Sequence, residues 1–236
     1  MFSPEVIQSV LSHATACIPR EACGLVIETA TGQEYRPCTN IAEASDQFIL
    51  DPDEYADIED YYKILGIAHS HYGAPPSPSQ ADLVGCESSA LPWLIVSVPT
   101  GTHQIVTPTG YVAPLLGRQF YCGVLDCYSI VRDYHQLELG IHVKDYERSS
   151  DWWLKGKNHF MDRFEDAGFV QKPLAELQKH DVVLMKCNSA VPNHAAIYLG
   201  NNIILHHLVD RLSSKDVYGG YWLKATVCVL RHKELG

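Results

Sequence analysis

Apolar residues recur at helical spacing near the amino terminus. Val6, Ile7, Val10, Leu11 and Ala14 fall on one stripe, which predicts an amphipathic helix over residues 4–17. Ser3, Pro4 and Glu5 mark its start, because proline is tolerated at the first helical position and a carboxylate is favoured in the first turn. The period then shortens: Cys23 to Ile27 is a continuous apolar run that reads as a buried strand, closed by a turn at Thr31 and Gly32. Asp51, Pro52, Asp53 and Glu54 predict a second helix with Tyr55, Ile58 and Tyr62 on its apolar face. Ile64 to His69 is the next strand, Ser77 and Pro78 repeat the start signal before a third helix, and Trp93 to Val98 is again a strand.

From Pro99 to Gly117 the pattern breaks into closely spaced Pro, Gly and Thr. The break predicts a junction near residue 110, with a terminal hairpin of the first domain in part of this stretch. Beyond it, Asp126 to Tyr134 reads as the beginning of a helix and Lys157 to Ala167 as a helix stopped at Gly168. Strands are predicted at Val182 to Lys186, His194 to Leu199, Ile203 to Leu208 and Ala225 to Leu230. No repeat and no low-complexity tract is visible. The pattern predicts an α+β chain of two domains, 1–110 and 111–236, each long enough to bury a core of its own.

Composition narrows this picture. With 46% apolar and 19% charged residues the chain reads as a soluble globular protein. A formal net charge of -10 disfavours a nucleic-acid backbone or a bare anionic membrane as partner. The eight cysteines include no CxxC pair and lack the density of a disulfide scaffold, so each reads first as a small buried hydrophobe. The start MFSPEVIQSVL has no basic segment ahead of an apolar one, and no run approaches the length of a membrane span. Neither export nor membrane insertion is expected.

His69 and His71 stand two apart in a predicted strand, so both side chains aim to one face while Ser70 faces the other. A stiff loop with Pro75, Pro76 and Pro78 follows, and Asp82 in the first turn of the next helix can complete a set of three ligands. Ser79, just before it, can donate its hydroxyl to a developing oxyanion. The whole pattern HSHYGAPPSPSQAD resembles the JAMM motif of MPN-domain metallopeptidases, in which HxH is followed by seven residues, Ser, two residues and Asp. That resemblance covers about residues 1–108. It implies a mixed α/β MPN domain, one zinc ion held by His69, His71 and Asp82, and a distant general base supplied by Glu21 within PREACGL. Without it, Glu21 would read as a solvated carboxylate at a helix end.

In the second half Asp126 is a helix cap that places Cys127 in the first turn, where the helix terminus and a neighbouring imidazolium favour a thiolate. HAAIYLG and IILHHL, joined around Gly200, Asn201 and Asn202, predict a hairpin. A three-residue loop brings His206 to the face of His194, whereas a two-residue loop brings His207, and spacing does not choose. The set of DC at a helix start, HAAIYLG, and a second His twelve residues after the first resembles the papain-like NlpC/P60 peptidases. The resemblance implies Cys127 as nucleophile, His194 as base and His206 as the group that orients it. Two positions depart from that family: His180 stands where a glycine precedes the aspartate, here Asp181, and Tyr128 stands where serine follows the nucleophile. Tyr121 is open between a packed aromatic and the upstream tyrosine that assists the oxyanion.

The two domains in this order resemble the tail assembly protein K family of lambda-like siphophages. The resemblance implies other tail-tip proteins as partners and peptidoglycan stem peptides as a substrate. It also implies assembly in the host cytoplasm, a place at the virion tail tip, and delivery to the host periplasm. The rival expectation is a structural tail-tip component whose peptidase-like domains mainly bind their neighbours.

Overall fold

Ser3 caps the first helix, its hydroxyl accepting the Val6 N–H at 3.3 Å. The helix α1 spans Pro4–Cys17 and buries Val6, Val10 and Ala14. The computed structural model describes residues 1–236, which divide into two units, Met1–Val112 and Ala113–Gly236. After α1 the first unit continues with β1 (Cys23–Thr29), β2 (Gly32–Cys38), α2 (Pro52–Glu59), β3 (Ile64–Tyr72), α3 (Gln80–Ser89), β4 (Trp93–Val98) and β5 (His103–Val106). Its sheet runs β2-β1-β3-β4-β5. Only β3 and β4 are parallel, and α3 makes the crossover between them. On one face α1 packs with Val26, Ala68, Leu94 and Val96. On the other, Leu25, Ile27, Ile67 and Trp93 lie with Tyr55 and Ile58 of α2 and Cys86 of α3. Strand β1 is covered on both faces, which is why Cys23 to Ile27 are all buried and the strand reads as an unbroken apolar run.

Helix α3 begins later than Ser77 and Pro78 suggest. Its cap is Ser79, which exchanges a reciprocal pair of hydrogen bonds with Asp82. The helix lies so close to β4 that a Cβ at Gly85 would come within 2.4 Å of the Trp93 ring, so glycine is what admits this approach.

The second unit contains α4 (Cys127–Leu139), α5 (His159–Arg163), β6 (Phe169–Lys172), β7 (Val182–Met185), β8 (His194–Gly200), β9 (Ile203–His206), β10 (Ser214–Val217), α6 (Gly220–Ala225) and β11 (Thr226–His232). The sheet order is β10-β9-β8-β7-β11-β6, with every neighbouring pair antiparallel. Ile130, Val131 and Tyr134 of α4 pack on Val182, Leu184, Ala195, Ile197 and Leu205. The opposite face holds Val183, Met185, Ala196 and Ile204 with Trp222 of α6. Fully buried Arg118 ties down the first segment of the unit, donating to the carbonyls of Pro114 and Ala113 at 2.5 and 2.8 Å and to Asp133 at 2.6 Å.

The helix expected over 157–167 is reduced to α5. The chain turns at Gly168, whose φ of +90° suits glycine, and Phe169 then enters β6 to pair with β11. No helix is long and apolar enough to cross a membrane.

Candidate active sites

In the first unit the antiparallel register sets Cys23 opposite His69 and Gly24 opposite Ala68. The pairing continues past the strand end, where the Ser70 N–H donates to the Ala22 carbonyl at 3.0 Å. By the same count Glu21 comes opposite His71 on the face that carries His69. His69 and His71 turn Nε2 towards each other at 3.2 Å. Asp82 closes the group, its Oδ1 3.2 Å from His69 Nε2 and its Oδ2 3.5 Å from His71 Nε2.

Each member is aimed by a second contact. His71 Nδ1 lies 2.8 Å from the Pro75 carbonyl. A carbonyl only accepts, so Nδ1 carries the hydrogen and, in the neutral ring, Nε2 presents its lone pair to the cluster. Asp82 Oδ2 accepts the Ser79 N–H at 2.7 Å, and Ser79 Oγ accepts the Asp82 N–H at 3.1 Å. His69 is wedged between the Phe48 ring, stacked at 4.4 Å, and the edge of Trp93 at 5.6 Å.

The Asp82 carboxylate supplies negative charge to the cluster. Burial pushes the Asp82 carboxyl up, but hydrogen bonds from both histidines and from Ser79 together hold it well below the usual carboxylate range. Burial lowers His69. It opposes the rise at His71, where Asp82 and the Pro75 carbonyl prevail and favour the positive form. Three donors, two imidazole and one carboxylate, lie within 4.8 Å of one another, a donor set that matches a catalytic metal site with an open position. Glu21 is buried beside them, and burial, reinforced by Asp82 and opposed by His71, pushes its carboxyl up to about 8.

In the second unit Asp126 caps α4. Its carboxylate accepts the N–H groups of Ser129 and Gly123, each at 2.9 Å, and takes a two-point contact from Arg148 at 2.7 and 3.1 Å. Burial works against ionisation of Asp126, but Arg148 outweighs it and keeps the carboxyl below its ordinary value. Cys127 is half-buried at the helix start. Its protonation state differs from the expected thiolate: burial and the adjacent Asp126 push the thiol up to about 12, with the Ala195 N–H pulling the other way. The cap that starts the helix also sets a negative charge beside the sulfur.

His194 Nε2 and His206 Nδ1 lie 2.9 Å apart, both rings buried. A bulge decides this pairing. Asn201 and Asn202 make the turn with φ of 52° and 56°, a two-residue connection. The register then shifts between Tyr198 and Gly200, so that Ala196 faces His206 rather than His207. His207 falls on the other face, edge-on to Phe120 at 5.1 Å. Burial, with His206 and His207, lowers His194 to about 3, so the imidazole is neutral and able to take a proton.

The two departures from the NlpC/P60 pattern have local explanations. His180 adopts φ of +80°, a region glycine enters freely, and is held there by a 2.8 Å contact between its Nδ1 and the Tyr134 hydroxyl. Tyr128 donates to the Lys144 carbonyl at 2.5 Å and, with Val131 and Ala195, lines an apolar cavity. Asp181 is structural, buried in a two-point pair with Arg231 at 2.8 and 2.9 Å. Tyr121 forms a short antiparallel bridge with Leu125. Sequence reading missed Asp216, whose Oδ2 lies 3.2 Å from His206 Nε2.

Comparison with known proteins agrees with the two units. Residues 3–107 match the model for prokaryotic homologs of the JAB domain, and residues 117–231 match the NlpC/P60 family. The chain is 37% identical to the tail tip assembly protein K of Escherichia phage N15, over 98% of this chain and 96% of that protein. It is 38% identical to the protein of the same name from Escherichia phage lambda, over 78% of this chain and 89% of that one. Among solved structures, an NlpC/P60 family protein from Bacillus cereus is 10% identical, with a TM-score of 0.36, covering 95% of this chain and 66% of that one.

Three outcomes are expected. His71→Ala should remove stoichiometric zinc from the purified protein in elemental analysis, and full zinc content in the variant would reject the ligand set.

Glu21 carries a folded-state value of about 8 against an ordinary 4.5, so between those pH values the folded protein holds a proton that the unfolded chain has released. In EDTA its contribution to stability therefore falls as pH rises through that window, and the loss is complete above about 8. Glu21→Gln should raise Tm by a few degrees above this window and leave it unchanged near pH 4. A difference independent of pH would show that Glu21 is not buried as described.

Alkylation of Cys127 by iodoacetamide should climb about tenfold per pH unit from neutral to mildly alkaline pH, with no plateau. A plateau extending below pH 7 would reveal a preformed thiolate.

Proposed function

The chain belongs to the tail tip assembly protein K family, with a JAB-homologue domain ahead of an NlpC/P60 domain, and we propose that it acts at a phage tail tip as a peptidase with two sites. What supports this reading is that His69, His71 and Asp82 converge beside Glu21 in the first unit, while in the second Cys127 takes a backbone contact from Ala195, the residue next to His194, which pairs with His206.

In the first unit His69, His71 and Asp82 would hold a zinc ion, which would supply Lewis acidity to the peptide carbonyl. Glu21 takes a proton from the attacking water and passes it to the leaving amine. Ser79 Oγ already accepts the Asp82 N–H, which leaves its own hydrogen to donate to the tetrahedral oxygen.

In the cysteine unit, Cys127 attacks the amide carbonyl as His194 takes the thiol proton. A thioester forms and the amine departs with that proton; water then hydrolyses the thioester, returning the thiol and releasing the acid. Both partners are neutral at rest, so the charge separation belongs to the attack itself.

The cysteine unit is assigned to peptidoglycan stem peptides, and the metal unit to a peptide or isopeptide bond during tail assembly. The protein joins other tail-tip proteins in the host cytoplasm and reaches the periplasm with the tail. Its charge of -10 does not favour nucleic acid as a partner.

Digestion of purified muropeptides by the full chain tests the assignment. Cleavage should vanish in Cys127→Ala and survive EDTA. Cleavage that EDTA stops while Cys127→Ala leaves it intact would place wall hydrolysis on the metal unit instead.

A further inference from the structure

His206 is engaged at both ring nitrogens, Nδ1 by His194 Nε2 at 2.9 Å and Nε2 by Asp216 Oδ2 at 3.2 Å. Asp216 comes from the edge strand β10. Ser214 stands directly opposite His206 and Asp216 opposite Ile204, which makes Asp216 the diagonal neighbour of His206 on one face of the sheet. We infer that Asp216 is a positioning residue that fixes the tautomers of two imidazoles in series, leaving His194 Nδ1 as a bare base.

A carboxylate offers only acceptors, so the hydrogen in the contact with Asp216 belongs to His206 Nε2. A neutral imidazole has one N–H, so His206 Nδ1 is then a bare acceptor. The hydrogen in the 2.9 Å contact must therefore come from His194 Nε2. With its single hydrogen committed there, His194 keeps the Nδ1 lone pair free.

The premise of two neutral rings is met: burial lowers both, bringing His194 to about 3 and outweighing the upward pull of Asp216 on His206. The His194–His206 contact does not choose between tautomers by itself. The reverse arrangement, with His206 Nδ1 donating to His194 Nε2, keeps the same hydrogen bond but leaves the remaining hydrogen on His194 Nδ1, where it blocks proton uptake. Trp222 packs its ring edge-on to His206 at 4.8 Å and tilted over His194 at 5.9 Å, so it confines the rings from the α6 side. Asp216 is the group on this face that distinguishes the two tautomers.

The consequence for catalysis rests on the reading of Cys127 and His194 as nucleophile and base, whereas the tautomer assignment stands apart from it. The full-length protein with 15N-labelled histidine separates the two by NMR. In the wild type both His194 and His206 should carry their hydrogen on Nε2. Asp216→Ala should give mixed tautomers at both rings, and Asp216→Glu, which keeps a carboxylate, should restore the single state. On muropeptides Asp216→Ala should lower kcat on the order of 10- to 100-fold with KM unchanged, and Asp216→Glu should regain most of the loss. Asp216→Leu, which keeps much of the side-chain volume without an acceptor, replaces the alanine variant if that one does not fold.

A hydrogen on His206 Nδ1 in the wild type, tautomers unchanged in Asp216→Ala, or kcat within about twofold of wild type in that folded variant would overturn the inference. If wild-type protein cleaves no muropeptide, the peptidase reading fails, and the NMR result still decides the role of Asp216.

Discussion

Both candidate sites are held by strand register. Side chains along a strand alternate between faces, so a slip of one residue would send every reactive group to the wrong side. In the first unit apolar pairing guards against this: Leu25 faces Ile67 within a strand buried on both sides, and the same count delivers His69 and Glu21 to one face. In the second unit Ile204 and Leu205 are both buried, one on each face. Shifting the register would exchange one buried aliphatic side chain for another, which leaves the hydrophobic pattern nearly indifferent. The bulge between Tyr198 and Gly200 supplies what that pattern lacks, and it selects His206 over His207.

The same reasoning separates what was legible in the sequence from what was not. Helix α1 matches its expected span because Ser3, Pro4 and the apolar stripe all specify the same start. The central strands β1, β3, β4, β7 and β8 announced themselves as apolar runs. The strands that were missed, β2, β6 and β10, are all at sheet edges. Edge strands bury little: β2 reads GQEYRPC, with only Tyr35 and Cys38 buried, and β10 reads SKDV, with none. A polar edge strand gives no periodic apolar signal, and Asp216 was invisible for that reason. Convergence of His69, His71 and Asp82 was legible because spacing on a strand and in a helix turn is local. The His194–His206 contact needed a bulge that no residue type announces.

Helix starts do more at these sites than begin helices. In α3 the capping box fixes Asp82 by handing Oδ2 the Ser79 N–H, while Oδ1 stays directed at His69. The candidate ligand is thus oriented by the first turn of its own helix. In α4 the roles are exchanged, with Asp126 as cap and Ser129 as its reciprocal partner. There the carboxylate is spent on Arg148 and the backbone, and the reactive group is the next residue. A serine cap leaves the neighbourhood neutral; an aspartate cap adds a negative charge, and burial first, then that charge, keep the helix start at Cys127 from yielding the thiolate that its position alone suggests.

Burial keeps both proposed bases neutral, with opposite consequences. His194 is kept neutral by burial, which is the form that accepts a proton, although the same burial makes it a weak base. Glu21 is also made neutral by burial, but a neutral carboxyl is the form that cannot accept one. What restores Glu21 is positive charge nearby: His71 already pulls its value down, and a divalent cation among the same ligands would pull much harder. Under the proposed reading, then, Glu21 would become competent as a base only with a cation held by His69, His71 and Asp82. In the second unit the neutral His194–His206 pair makes hydrogen placement the variable at the base, while burial and Asp126 hold Cys127 as a thiol.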